Sequence, residues 1–151
     1  MKIFSEVLGK LGIKVNFEPR RQLKIFLLDD DERRHEWFTK RFAADHLDIA
    51  STAERAIEML SSNNYDVIFL DHDLLPEHYG SEILDDERTG YAVAAWLAAN
   101  PDLQQFSFVT VHTRNADGAM RMVEELRRVG RQAEYTPFPM LAQKIKNYWR
   151  R

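Results

Sequence analysis

The pattern of apolar and polar residues predicts short buried strands that alternate with amphipathic helices. Five runs are rich in β-branched and aromatic residues, as strands are; they cover residues 24–28, 47–50, 67–70, 106–111 and 133–135. Strands that alternate with helices imply a parallel sheet with right-handed crossovers. The sequence therefore predicts an α/β fold, a doubly wound five-stranded parallel sheet with helices on both faces.

Local sequence signals mark where some of the helices begin. One long segment shows neither helical nor strand periodicity. Ser51 and Glu54 form a capping-box pattern before the second helix. Gly90 opens an alanine-rich helix. Residues 76–88 lack periodicity and exceed the length of most connections, which is typical of functional loops. We expect this segment to be a lid over a binding pocket.

Three strand runs end in clusters of polar residues, at 29–31, 71–73 and 112–115. In open parallel sheets the ligand crevice lies beyond the carboxyl ends of the strands. The predicted fold therefore brings these three clusters together. This convergence is the main reason to expect a functional site there.

Carboxylates dominate the expected site, because Asp29, Asp30 and Asp71 all follow strands. Two ionised carboxylates ~4 Å apart repel by about 4 kcal/mol at an effective dielectric constant near 20. Such a group needs a cation or bound protons, and hard oxygen ligands suit Mg²⁺ or Mn²⁺. The alternative is that these acids are helix N-caps and loop residues, which is a natural role for Asp31. We expect a divalent metal on Asp29, Asp30 and Asp71.

Composition narrows the class of protein. The 151 residues contain 44% hydrophobic and 30% charged residues, as globular domains do, and no cysteine for a disulfide or thiolate site. The net charge of −3 disfavours broad binding to duplex nucleic acid. The longest apolar run, residues 91–99, is far shorter than the ~20 residues of a membrane span. We expect a cytoplasmic protein.

The chain divides into residues 1–22, an N-terminal extension, and residues 23–151, the α/β domain. Phe4, Val7, Leu8 and Leu11 share one face of a helix in the extension. We expect this short amphipathic helix to pack on the domain or to form a homodimer contact, and not to bind a membrane.

Several motifs resemble response-regulator receiver domains. The similarity lies in the run from Lys24 to Asp31, in the run from Val67 to Asp71, and in Thr113. The resemblance implies a flavodoxin-like receiver fold, an acidic pair at Asp29 and Asp30, and a phosphoacceptor or metal ligand at Asp71. Receivers carry a lysine before a proline after the fifth strand, whereas here Thr136 precedes Pro137. An ordinary phosphorelay switch would be weakened, since a hydrogen bond to a charged group is worth about 1.5–3 kcal/mol.

Other motifs are similar to an offshoot called cyclic-phosphate-processing receiver domains. They are Asp29 to Arg34, Leu70 to Leu74, Thr89-Gly90-Tyr91, and His112 to Asn115. The resemblance implies action on a cyclic or terminal phosphate, of a small molecule or of an RNA end. This chain departs from a compact version of that group in its N-terminal extension and at Leu75-Pro76, where a glycine is expected.

The candidate catalytic residues are Asp71, His72 and His112, because imidazole can carry protons near neutral pH. A metal-bound water with a histidine acid or base would open a cyclic phosphodiester. The candidate substrate-binding residues are Arg33, Asp73, Thr89, Gly90, Thr113 and Asn115. Each histidine has an alternative role as a pocket-wall residue, and Arg33 as a surface ion pair with Glu32 or Glu36.

Two functions therefore stand. The first is a metal-dependent phosphoesterase acting on a cyclic or terminal phosphate. The second is a non-enzymatic signalling module, either phosphorylated on Asp71 or degenerate and partner-binding. The missing lysine at Thr136 favours the first.

Overall fold

The computed structural model describes residues 10–12, 20–74 and 88–146. Five strands form one sheet in the order β2-β1-β3-β4-β5, and every neighbouring pair is parallel. The strands are β1 (Lys24–Leu28), β2 (His46–Ala50), β3 (Val67–Leu70), β4 (Phe108–Val111) and β5 (Ala133–Tyr135). The predicted doubly wound α/β fold is confirmed.

Helices connect the strands as the alternating pattern requires. They are α1 (Glu32–Arg41), α2 (Ala53–Ser62), α3 (Gly90–Ala99), α4 (Ala116–Arg128) and α5 (Leu141–Ile145), with a 3₁₀ turn at Phe138–Met140 before α5. No helix among the described residues is both long and apolar enough to cross a membrane.

Alternate residues of the central strands belong to two separate cores. On β1, Phe26 and Leu28 join the core that contains residues of α2, α3 and α4. Ile25 and Leu27 join the opposite core, where Phe38 of α1 packs with residues of α5. This alternation follows from the two-residue period of a strand. It also fixes which side chains face α1 at the carboxyl end of the sheet.

Three predicted boundaries are wrong. Strand β2 begins at His46, one residue before the predicted start, and His46 pairs with Lys24 of β1. Thr52, not Ser51, is the N-cap of α2, and its side chain accepts a hydrogen bond from the Arg55 backbone N–H. The expected capping box is therefore absent, since the third helical residue is Arg55 and not Glu54. Strand β4 begins at Phe108 instead of residue 106, because Phe106 is 96% exposed and precedes the first paired residue.

Some predictions concern residues outside the described ranges. They are most of the N-terminal extension and residues 76–87 of the expected lid. The amphipathic helix and the lid stay predictions.

Candidate functional site

The strand register places Asp29, Asp71 and His112 side by side. Leu28 pairs with Leu70, and Leu70 pairs with Val111, so the next residue of each strand is one of these three. Two backbone bonds continue the ladder across them, from Asp71 N–H to Leu28 at 2.9 Å and from His112 N–H to Leu70 at 3.0 Å. All three residues are buried. The sheet itself therefore assembles the centre of the site.

Helix α1 brings a positive charge onto this centre. Arg34 donates from Nε to Asp29 Oδ2 at 2.7 Å and from Nη2 to Asp29 Oδ1 at 2.8 Å. The same Nη2 also lies 3.0 Å from Asp71 Oδ2. Asp31 is the N-cap of α1, as expected, and accepts hydrogen bonds from the first turn. Both carboxylates are thus joined by one guanidinium on a capped helix.

His112 is the second partner of Asp29. Its Nε2 lies 2.7 Å from Asp29 Oδ2, and because that carboxylate is an acceptor, Nε2 carries the proton and donates. Its ring packs against Phe38, with 5.6 Å between ring centroids. The other nitrogen, Nδ1, is buried and has no hydrogen-bond partner among the described residues. His112 is thus held in one orientation by a carboxylate and by an aromatic ring.

His72 lies on the other side of the sheet edge, against α4. Its Nδ1 is 2.8 Å from Asp73 Oδ1, so Nδ1–H donates to that carboxylate. A Cβ on Gly118 of α4 would lie 2.7 Å from His72 Cδ2. Only a glycine leaves room for the imidazole there. His72 and Asp73 form a second buried histidine–aspartate pair.

The backbone beside Asp71 is packed against the start of α3. Gly90 N–H donates to the His72 carbonyl at 2.8 Å, and a Cβ at Gly90 would lie 1.7 Å from the Asp71 carbonyl oxygen. Any larger residue would push the loop after β3 away from α3. Gly90 therefore has a structural role in setting the position of Asp71.

The two central aspartates differ in acidity. Burial raises the pKa of Asp29, but hydrogen bonds from His112 and Arg34 outweigh burial and bring it to about 2. Burial also raises the pKa of Asp71, where fewer partners offset it, and the result is about 6. Asp29 is a permanent anion at neutral pH. Asp71 can gain and lose a proton near neutral pH, as an acid–base group must.

A cleft of about 410 Å³ opens beside these groups. Three aspartates, three arginines and one threonine line it: Asp31, Asp71, Asp73, Arg33, Arg34, Arg114 and Thr113. Guanidinium groups bind phosphate oxygens through paired N–H donors. Such a lining suits an anion that also meets a proton-transferring carboxyl group.

The structure places the predicted substrate residues in two sets. Arg33, Asp73 and Thr113 line the cleft. The others lie outside the described lining: Asn115 caps α4, Thr89 is the buried residue before α3, and Gly90 packs on Asp71.

The predicted catalytic and metal-binding residues also fall into two sets, one that lines the cleft and one that does not. Asp71 lines the cleft, while His72 and His112 are buried and contact Asp73 and Asp29. Asp30 is half-buried and does not join the cluster of Asp29, Asp71 and His112.

Sequence reasoning missed Arg34 and Arg114. A signal for Arg34 was present, because it stands four residues before Phe38 and residues at that spacing share one helix face. The face that buries Phe38 must therefore also direct Arg34 toward the sheet. Arg114 lies between two predicted site residues, and its neighbours were the only signal.

Asp29, Asp71 and His112 are residues of the kinds that can hold a divalent metal ion. One ligand atom from each lies within 4.8 Å of the others. Asp29, however, already accepts four hydrogen bonds, from Arg34 Nε and Nη2, the Asp31 N–H and His112 Nε2. A carboxylate has about four lone-pair sites, so this arrangement does not fit a cation on Asp29. The prediction of Mg²⁺ or Mn²⁺ stays a prediction, and the geometry disagrees with it.

The end of β5 lacks the lysine of ordinary receivers. Thr136 is buried, and its N–H donates to the Val111 carbonyl at 2.9 Å. No lysine is among the described residues that line the cleft. The positive charges of this cleft come from α1 and from the loop after β4 instead.

Solved structures that share this fold include response regulators and a signal receiver domain. A response regulator from Burkholderia pseudomallei, determined with a phosphorylated aspartic acid, calcium ion and citrate, is 16% identical with a TM-score of 0.62 over 85% of this chain. The chain spans 66% of that protein, slightly under two thirds. The signal receiver domain of an HD domain-containing protein from Pseudomonas fluorescens is 16% identical, with a TM-score of 0.62, over 86% of this chain and 93% of that one. A two-component response regulator from Clostridium difficile is 22% identical, with a TM-score of 0.58, over 86% and 98% of the two chains.

The low sequence identities to these solved structures establish the fold alone. No curated protein matches the chain. The sequence does match one family, described as the cyclic-phosphate processing receiver domain, over residues 23–128. This range contains both strand-end aspartates, both buried histidines and the three arginines of the cleft. The chain belongs to the cyclic-phosphate-processing receiver domain family.

Proposed function

We propose that the chain binds a phosphate ester in the cleft and hydrolyses a cyclic phosphodiester, with Asp71 as the proton-transferring group. The observation that carries the proposal is the meeting of Asp71 with three arginines in one cleft. Burial raises the pKa of Asp71 to about 6, close to the value that an acid–base catalyst needs at neutral pH.

The chemistry requires one water and one relayed proton. Arg33 and Arg114 hold the non-bridging phosphate oxygens through N–H donors. Water attacks phosphorus and passes a proton to the Asp71 carboxylate as one ring phosphorus–oxygen bond breaks. Asp71 then gives that proton to the oxygen released from phosphorus. The product is a phosphate monoester with one new hydroxyl group.

Two histidines support the carboxylates in this proposal. His112 donates to Asp29, and His72 donates to Asp73, which lines the cleft. Both imidazoles are buried, so they act through their aspartates as positioning residues. Their direct participation in proton transfer stays a prediction.

The signalling alternative uses the same Asp71 as a phosphoacceptor. The Burkholderia neighbour contains a phosphorylated aspartic acid, which favours that chemistry for its own fold. In this chain Thr136 replaces the lysine that receivers use on the phosphoryl group, and the described cleft has no other lysine. The esterase proposal is therefore the better supported of the two.

One experiment separates the two functions. The protein is incubated with 2′,3′-cyclic nucleotides and cyclic-phosphate-ended RNA, and in parallel with acetyl phosphate. Hydrolysis is followed by ³¹P NMR and covalent labelling by intact-protein mass. We expect ring opening, and a loss of about 10²–10⁴-fold in Asp71→Asn, which removes one catalytic proton transfer.

The matched control is Asp102→Asn, an exposed carboxylate in a pocket with Lys24 at the opposite end of the sheet. It should retain the wild-type rate. No turnover on any cyclic substrate, together with stoichiometric labelling of Asp71 by acetyl phosphate, would reverse the assignment in favour of signalling.

A further inference from the structure

The position expected for a metal ion is taken by the Arg34 guanidinium. Its Nε and Nη2 lie 2.7 and 2.8 Å from the two oxygens of Asp29, and Nη2 lies 3.0 Å from Asp71. A guanidinium stays charged at every accessible pH. One fixed cation therefore contacts both carboxylates that would otherwise need an ion.

The guanidinium is held in place by its helix. Asp31 caps the first turn of α1, and Phe38 anchors the same helix face in the core, where its ring contacts those of Phe69 and Phe42. The Arg34 side chain is only 19% exposed. Because both ends of this face are fixed, the packing of α1 itself places Arg34 next to the carboxylates. The contact is built into the fold.

We propose that Arg34 replaces the divalent cation, so that this site works without metal, and that removing Arg34 would uncover a metal site. The ligands of the uncovered site are Asp29, Asp71 and His112, whose donor atoms lie within 4.8 Å of one another. The two carboxylates are ligands that suit Mn²⁺. The inference deepens the proposed function, since it concerns the same site, but its test measures binding and not turnover.

Charge repulsion explains why Arg34 and a metal ion exclude each other. An ion on Asp71 and Asp29 would lie against a guanidinium that contacts the same two carboxylates. Like charges at such separations repel strongly in a buried site. Asp29 would also have to lose at least one of its four hydrogen bonds to accept the ion.

The test compares Mn²⁺ binding by wild type, Arg34→Gln and Arg55→Gln, each freed of metal by a chelator. Isothermal titration calorimetry measures affinity, and electron paramagnetic resonance reports protein-bound Mn²⁺. Arg34→Gln should bind one Mn²⁺ at least about tenfold more tightly than wild type. Arg55→Gln is the matched control, because Arg55 pairs with Glu58 on α2 and does not line the cleft, and it should bind Mn²⁺ as wild type does.

Two further results decide the interpretation. Adding Asp71→Asn to Arg34→Gln should remove the gained site, and Mn²⁺ should raise the melting temperature of Arg34→Gln but not of wild type. Arg34→Met serves if the glutamine variant does not fold by circular dichroism. Equal Mn²⁺ affinity in wild type and both Arg34 variants, including no binding by any, would overturn the proposal. Failure of the cyclic-phosphate assay leaves these binding results unchanged.

Discussion

Asp29 and Asp71 occupy equivalent positions, each one residue beyond a central strand, yet their pKa values shift in opposite directions. Burial disfavours the charged form of both. Asp29 accepts two bonds from Arg34, one from His112 and one from the Asp31 N–H, whereas Asp71 accepts one from Arg34 and one from the His72 N–H. Hydrogen bonds to the charged form decide the outcome. The number of hydrogen-bond partners therefore keeps Asp29 ionised and lets Asp71 titrate near neutral pH.

The opposite shifts predict opposite effects on stability. The pKa of Asp71 is about 6 in the fold and 3.8 as the reference value, so stability falls by about 3 kcal/mol as pH rises from ~4 to ~6. The pKa of Asp29 is about 2, so its stabilisation of about 2 kcal/mol is present above pH ~4 and is lost as pH falls toward 2. In chelator at pH 7.5, Asp71→Asn should raise the free energy of unfolding and Asp29→Asn should lower it.

Urea denaturation at several pH values checks this pair, with each asparagine variant serving as the control for the other. The Asp71→Asn curve should lose the decline between ~pH 4 and 6 that wild type shows. A decline that persists in Asp71→Asn, or a gain in stability from Asp29→Asn, would show that the two acids are not distinguished as described.

The N-terminus of α2 shows that core packing, and not the local sequence motif, decides where a helix begins. Ser51 and Thr52 are both exposed cap-forming residues, and the serine begins the better motif. The chain nevertheless caps α2 with Thr52, whose hydroxyl accepts from the Arg55 N–H at 3.2 Å. Cap position follows from where β2 ends and from where Ala53 and Ala56 must be buried. The core overrides the local motif.

Alanine substitutions test the position of this cap. Thr52→Ala should cost about 1 kcal/mol, or about 3 °C in melting temperature, because it leaves an N–H of the first turn without its acceptor. Ser51→Ala, the matched control one residue earlier, should leave the melting temperature unchanged. Thermal melts by circular dichroism measure both. The reverse ranking would restore Ser51 as the cap.

Periodic elements could be predicted from the sequence, while boundaries that rest on distant contacts could not. Strands β1, β3 and β5 have the predicted limits, and the apolar runs of β1 and β3 are buried on both faces of the sheet. The start of β4 was wrong because an apolar residue, Phe106, lies in an exposed turn. That turn is fixed by Gln104, whose side-chain amide accepts from the Tyr65 N–H at 3.0 Å, thirty-nine residues away. No local pattern carries such a contact.

The candidate site likewise has features that could be predicted from the sequence and features that could not. Parallel topology was enough to predict that residues 29–31, 71–73 and 112–115 converge, and the register of β1, β3 and β4 brings Asp29, Asp71 and His112 abreast. The role of Arg34 depends on how α1 rotates onto the sheet, which Phe38 settles in three dimensions. Topology fixed the location of the site, and helix packing determined its charge balance.

At the scale of the whole molecule, three elements deliver the charges of one cleft. The aspartates and arginines of the lining are equal in number, three of each. The cleft is therefore nearly neutral when Asp71 is ionised, although the chain as a whole carries a net charge of −3. Protonation of Asp71 removes one negative charge from the lining. The cleft should therefore bind anions more tightly when Asp71 is protonated.

Sulfate tests this link, since it keeps its charge between pH 5 and 8 and resembles a phosphate group. As pH falls from 7.5 to 5, Asp71 with its pKa of about 6 becomes protonated, and sulfate binding should tighten. Asp71→Asn should bind sulfate at pH 7.5 about as tightly as wild type does at pH 5, because its amide is always neutral. Arg33→Ala and Arg114→Ala should each weaken binding at both pH values. Calorimetry at constant ionic strength measures all four proteins, and a wild-type affinity that does not change with pH would separate Asp71 from the anion site.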